Sequence, residues 1–411
     1  MEQIFINIGR LYGNWPTTEA IRGANMRTIP FLEQAWMQVL QGVIVASGAG
    51  TPPSGNQIDL KGEWIIPAFV DSHCHLIFAA WREREFQSKI EGRTYEEIAA
   101  SGGGILNSAR KLATYSEEQL FESAKSRLFQ QISSGIGAME IKTGYGLLPE
   151  QELKMLRVAK ELKRIAPIPI KTTLLAAHAL PTEYREKRDI FIKRITEELI
   201  PQAVEEKLAD YVDVFCDKGF FTQKETETIL EAAQNLGLRG KIHANELGNT
   251  GGIQAGVAYN ARSVDHLEHT GPEEIEQLLR SDTIPTLLPG TAFFLRIPYP
   301  PARLLIDSGL PVALATDLNP GSCPSGCPWF LWSLACIQLR MHPEEALTAM
   351  TRNSAVALDL QTQVGALSPG MHASFITVPA QDPENGLAHF PYRFASRPAF
   401  SLYLEGEKWN A

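Results

Sequence analysis

The 411-residue chain predicts an α/β fold: a parallel (β/α)8 barrel of TIM type, accompanied by a small β-sandwich-like domain built from both termini. Three observations predict it. From residue 64 onward, eight short β-like runs alternate with amphipathic stretches, the pattern of a parallel sheet wrapped by helices. The alternating segment, residues 64–361, has the length that such a barrel needs, roughly 250 residues. Residues 1–63 and 362–411 stand outside the alternation, and each is too short for a secure core alone, so they are expected to share one composite β domain.

The eight runs are Trp64–Val70, Ala138–Ile141, Ile170–Ala176, Tyr211–Phe215, Lys241–Ile242, Arg262–Val264, Ile284–Leu288 and Val312–Ala315. The first interval is the longest and is expected to carry extra helical elements. Helix ends are recognisable between the runs. Ser116 with Gln119, and Thr222 with Glu225, form capping-box pairs, Pro149 suits a first helical turn, and Gly135 and Gly237 suit helix stops. In the tail, Gly365–Gly370 introduces a β-like stretch, Ser374–Val378, followed later by Phe400–Leu404.

Composition narrows the function classes. An apolar fraction of 44% and a charged fraction of 21% belong to an ordinary globular protein. The formal net charge of −9 argues against a nucleic-acid-binding surface. There is no secretory signal, and the longest apolar runs are too short to cross a bilayer, so a cytoplasmic protein without a membrane partner is expected. Five cysteines (Cys74, Cys216, Cys323, Cys327 and Cys336) do not read as a disulfide framework and fit a reducing compartment. Cys323 and Cys327 have no second pair to complete a zinc site and read as loop residues.

The chemistry lies at the ends of the runs, where (β/α)8 barrels build their active sites. His73 and His75 follow the first run; residues two apart on a strand share a face, so both can meet one metal ion. Tyr145 follows the second run, His178 the third, His243 and Glu246 the fifth, Asp265 and His266 the sixth, and Asp317 with Asn319, Gly321 and Ser322 the eighth. Five of the nine histidines thus fall at strand exits; His269, His342, His372 and His389 do not and read as surface or loop residues. His73, His75, His243 and Asp317 supply three imidazoles and a carboxylate, leaving room for water, which suits a catalytic metal. In that arrangement Asp317 can take the proton of the activated water, Glu246 can pass a proton to a leaving nitrogen, and His266 can orient the water or polarise a carbonyl.

The stretches HCHLIFAAWR (His73–Arg82), EIKTGYGL (Glu140–Leu147), AAHALP (Ala176–Pro181), HANEL (His243–Leu247), SVDHLEH (Ser263–His269), LLPGTAFFLR (Leu287–Arg296) and ALATDLNPGSCP (Ala313–Pro324) resemble the amidohydrolase superfamily. More narrowly, they resemble the imidazolonepropionases of histidine degradation. The resemblance spans nearly the whole barrel and implies hydrolysis of 4-imidazolone-5-propanoate to N-formimidoyl-L-glutamate. It implies one divalent ion, Zn or Fe, held by His73, His75, His243 and Asp317. By the same carry-over Arg82, Tyr145, His178, Glu246, Asn319, Gly321 and Ser322 would bind substrate. The substrate's carboxylate independently asks for a guanidinium, and Arg82 is the candidate, whereas Arg84 reads as a solvated helix charge. Trp81, Asn245 and His372-Ala373 depart from the family pattern, and Trp81 is bulky enough to reshape the pocket mouth.

Three other readings compete at this level. A deaminase of the same superfamily would share the histidines and acids but has no evident need for Arg82. A scaffold without metal would have missing ligands, and none is missing. A two-metal site would draw on Lys218, just after the fourth run, together with His266. A homodimer is the expected assembly, since two-fold dimers are the commonest.

Overall fold

The computed structural model describes residues 2–93, 97, 103–394 and 396–410. Its strands fall into two sheets. The first contains β1 (Glu2–Tyr12), β2 (Phe31–Leu40), β3 (Val43–Ala49), β4 (Gln57–Asp59) and β5 (Trp64–Pro67) from the N-terminal part. The second contains β6 (Phe69–Asp71), β7 (Ile136–Lys142), β8 (Ile170–Ala177), β9 (Tyr211–Cys216), β10 (Arg239–Ala244), β11 (Ser263–His266), β12 (Ile284–Leu287) and β13 (Ala313–Leu314). The tail returns β14 (Phe375–Val378), β15 (Ser401–Leu404) and β16 (Glu407–Lys408) to the first sheet.

In the second sheet all eight strands run parallel in chain order, each beside its sequence neighbour. Beyond its last rungs the two end strands are tied together. Asp317 N–H donates to His73 O and His75 N–H to Leu318 O, both at 2.9 Å, while Asp71 accepts from the Thr316 N–H and hydroxyl at 2.9 and 2.6 Å. This is a near-closed (β/α)8 barrel. Outward residues such as Met139, Ile141, Val212, Val214, Ile242 and Val264 are buried in apolar clusters with the surrounding helices. The long first interval carries helices Glu83–Ile90, Gly104–Ala113 and Glu117–Ile132.

The smaller sheet is mixed, in the order β16-β15-β14-β5-β1-β2-β3 with β4 beside β1. Its core stacks Phe375 on Tyr403, with ring centroids 4.7 Å apart, and sets Phe5 edge-on to Phe375 at 5.1 Å.

The apolar run read from sequence as a single first barrel strand is divided between the sheets. Trp64–Pro67 pairs antiparallel with β14, whereas Phe69–Asp71 pairs parallel with β7. Ala68 is the break, and its N–H goes to Ser374 O at 3.1 Å. Gly137 permits the close passage there, since a Cβ on it would lie 2.5 Å from that of Ala68. An uninterrupted apolar run carries no mark of which sheet each half joins, because both halves are buried.

Both capping boxes form. Ser116 Oγ accepts from Gln119 N–H at 3.1 Å and Gln119 Oε1 from Ser116 N–H at 3.0 Å; Thr222 and Glu225 reciprocate in the same way. The Ser116 helix buries Leu120, Ala124, Leu128 and Ile132. Ser116→Ala is expected to lower stability by about 1 kcal/mol with turnover unchanged, as read from urea unfolding and a kinetic assay; an unshifted midpoint would contradict this. All five cysteines are free thiols.

Candidate active site

The inward faces of the barrel strands are unusually polar. On β7, β9, β10 and β11 the alternation places Glu140 and Lys142, Asp213, Lys241 and His243, and Asp265 on the inner side, all buried. Lys142 Nζ stands 2.6 Å from Asp213, 3.1 Å from Glu140 and 3.6 Å from Asp265; Lys241 Nζ stands 2.7 Å from Glu140 and 3.0 Å from Ser72 O. Burial alone would lower the Lys142 pKa, but these carboxylates hold it above the ordinary lysine value. Asp213 is raised by burial, yet His243 and Lys142 bring it well below the usual carboxylate range.

This charged layer supports the histidines above it. Asp265 Oδ2 sits 2.6 Å from His73 Nδ1, Asp213 Oδ1 3.1 Å from His243 Nδ1, and Thr143 O 3.1 Å from His75 Nδ1. With each Nδ1–H directed to an acceptor, each Nε2 presents a lone pair to the centre. There, His243 Nε2 faces His75 Nε2 at 3.4 Å, and Asp317 Oδ1 lies 3.4 Å from His73 Nε2 and 3.7 Å from His75 Nε2. His73 Nε2 is buried with no hydrogen-bond partner among the described residues. Lone pairs so close repel one another, so the donor set fits a divalent cation. Burial, with the nearby positive charge of Lys142, keeps His73 and His75 well below the ordinary histidine pKa, which leaves them neutral, as ligands must be.

Asp317 reaches this point through a left-handed backbone, φ 53°, and Thr291 Oγ1 donates to its second oxygen at 2.5 Å. His266 also borders the cluster: its ring nitrogen lies within 4.8 Å of donor atoms of His73 and His243. Its Nε2 is 3.7 Å from Glu246 and its Nδ1 3.9 Å from Glu268. Although burial lowers its pKa, Glu246 and Glu268 raise it above the ordinary value, while burial pushes Glu246 up in turn.

The remaining expected site residues gather around the same centre. His178 stacks on His75 with centroids 5.3 Å apart, donates from Nδ1–H to Gly144 O at 2.9 Å, and is held neutral by burial and His243, its pKa brought down to about 3. Tyr145 stands edge-on to both rings, at 5.7 Å from His75 and 5.5 Å from His178. The Arg82 guanidinium lies 5.9 Å from the Tyr145 ring centroid and hydrogen-bonds Ser108 Oγ at 2.9 Å. It abuts Gly321 so closely that a Cβ there would collide with Nη1. Asn319 turns its side chain onto its own loop, accepting from the N–H groups of Gly321 and Ser322 at 2.8 and 2.7 Å and donating to Asp317 O and Ser322 Oγ at 2.7 and 2.8 Å. These bonds brace the Asp317–Ser322 loop.

Other sequence expectations find definite places. Trp81 is half-buried with its ring 4.6 Å from Phe78, and Arg84 is exposed. Asn245 occupies a left-handed position, φ 58°, and ties its amide to His269 O at 2.9 Å. Lys218 is exposed in the turn after β9. The supporting residues Glu140, Lys142, Asp213, Lys241 and Glu268 had no role in the sequence reading. For Glu140, Lys142, Asp213 and Lys241 the signal is charge at alternate positions inside otherwise apolar strands, as in Glu140-Ile141-Lys142 and Val212-Asp213-Val214; Glu268 lies in the turn after β11 and carries no such signal.

Comparison with known proteins agrees with this arrangement. A profile described as "Amidohydrolase family" matches residues 64–400. The imidazolonepropionase of Flavobacterium johnsoniae is 45% identical over 391 residues, covering 94% of each chain. That of Christiangramia forsetii is 42% identical over 391 residues, again with 94% of each chain covered. Among solved structures, a triazine hydrolase variant superposes with a TM-score of 0.75 at 15% identity, covering 99% of this chain and 94% of that one. Guanine deaminase from C. acetobutylicum gives 0.71 at 15%, covering 99% and 100%. At that identity the structural likeness speaks for the fold alone, whereas the sequence likeness extends along the full barrel and both ends. By that likeness, the chain belongs to the imidazolonepropionase family of amidohydrolases.

Proposed function

We propose that the chain hydrolyses 4-imidazolone-5-propanoate to N-formimidoyl-L-glutamate, using one divalent ion, zinc or iron, held by His73, His75, His243 and Asp317. The observation that carries the substrate assignment is the placement of Arg82. Its guanidinium abuts Gly321 on the loop that also carries Asp317, so a ring held at the metal site can extend a carboxylate to it. A purine or pyrimidine offered for deamination has no such group.

When bound, the ion supplies Lewis-acid chemistry, bringing the acidity of water toward neutral pH. Asp317 accepts the proton of the attacking water as its oxygen bonds to the ring carbonyl carbon. His266, flanked by Glu246 and Glu268, polarises that carbonyl. The ring C–N bond then breaks, and Glu246, on the opposite side of His266 from Glu268, relays the proton taken up by Asp317 to the departing nitrogen, which returns both carboxylates to their starting state. Tyr145, His178, Gly321 and Ser322 line the substrate, and Arg82 pairs with the propanoate. Neutral His178 donates no charge to that pairing and serves to orient the ring.

The same reading makes this a cytoplasmic enzyme of a small substrate, acting as a homodimer and without nucleic-acid partners. Among the described residues no helix is long and apolar enough to cross a membrane.

The assay is direct. Substrate loss with stoichiometric formimidoylglutamate and no ammonia supports the reading, while ammonia release moves it to a deaminase. Arg82→Ala is expected to raise KM roughly 10- to 100-fold with kcat largely kept, the effect of losing a charge-assisted pair worth about 1.5–3 kcal/mol. A fall confined to kcat would remove Arg82 from the binding role.

A further inference from the structure

Glu268 is a buried carboxylate that the reaction above does not use for proton transfer. Its side chain is fully shielded from solvent, and neither oxygen has a hydrogen-bond partner among the described residues. Its nearest cation is His266, with Nδ1 at 3.9 Å, while Glu246 faces Nε2 of the same ring at 3.7 Å. The imidazole therefore stands between two carboxylates, one for each nitrogen.

The backbone that brings Glu268 there is also costly. His266 and Leu267 lie in succession at φ 82° and 74°, in the left-handed region that L side chains rarely adopt. The turn is secured by Leu267 N–H to Ala244 O at 3.0 Å, His269 N–H to Asn245 O at 2.8 Å, and the Asn245 amide to His269 O at 2.9 Å. A buried charge without hydrogen bonds, held by two strained residues, destabilises the fold. An apolar side chain would fill the same space without that penalty, so packing does not account for the carboxylate.

We propose that Glu268 is a positioning residue, which faces Nδ1 of His266 opposite Glu246 and keeps that ring turned toward the reacting carbonyl. The inference rests on the assignment of His266 to carbonyl polarisation and extends it. Glu268 touches neither substrate nor ion; its effect reaches the reaction through the imidazole. Because the carboxylate is retained against stability, its removal separates turnover from folding.

Glu268→Gln, which keeps the shape and removes the charge, tests this in the metal-loaded enzyme. The expected result is a kcat lower by about 10- to 100-fold, the range seen when the partner of an active-site histidine is lost. KM stays within about twofold, the metal-to-protein ratio is unchanged, and the melting temperature is equal to or above that of the wild type. In a His266→Asn background the same substitution is expected to add no further loss. An unchanged kcat in Glu268→Gln beside a slow His266→Asn overturns the role of Glu268 alone. So does a drop in melting temperature and metal content that accounts for the lost activity, or a loss that persists in full in the His266→Asn background. If His266→Asn itself turns over at the wild-type rate, the assignment of His266 fails and the inference falls with it.

Discussion

Replacing Asp317 with alanine is expected to lower kcat by about 10³-fold or more, the combined loss of a metal-facing carboxylate and a proton acceptor. The side chain is fixed from three directions. Its N–H holds His73 O, Thr291 Oγ1 grips one carboxylate oxygen, and the other points at the Nε2 atoms of His73 and His75. Asp71, at the same end of the barrel, is committed to the N–H and hydroxyl of Thr316, and Asp265 to Nδ1 of His73. Steady-state kinetics with metal analysis checks the prediction, and near-normal kcat in folded protein would refute the role. Asp317→Asn should be almost as slow, since the amide keeps the shape but accepts no proton.

Lys142→Met should produce the largest stability loss of any single change in the barrel interior, about 3–5 kcal/mol, the range for breaking a buried ion pair from one side. Three buried carboxylates, Asp213, Glu140 and Asp265, lie within 3.6 Å of its ammonium. Two of them hold Nδ1 of His243 and His73, so a loss of metal affinity should accompany the loss of stability. Urea unfolding of the metal-free variant separates the two effects from one another. An unfolding midpoint close to wild type would mean that the charged layer is not what holds the strand ends.

The sequence made the barrel legible because its outward faces are apolar at strand spacing while its helices start and stop on strong signals, such as the Ser116–Gln119 box. The histidines and Asp317 were legible because they follow those runs. Two things were hidden. The division of Trp64–Val70 between sheets left no trace, since Ile66 and Val70 are equally apolar and buried although one serves the small sheet and the other the barrel. The support beneath the histidines was visible only as stray charges in apolar strands. Pairing Lys142 with Asp213, 71 positions away, requires knowing which strands are neighbours. Asn319 illustrates a subtler limit: its presence at the site could be read, but not that its amide would close its own loop.

The division at Ala68 has a bearing on how the chain is made. β5, which leads within six residues to the first metal-facing histidine, is flanked on one side by β1 and on the other by β14. Ile66 meets its partner Ile376 only after the whole barrel has been synthesised. On the ribosome, the β14-facing edge of β5 therefore stays unpaired until the tail emerges, and contacts so remote in sequence form slowly. A nascent chain truncated before residue 375 would leave β5 with the open edge that β14 otherwise covers, a surface prone to pairing with other chains.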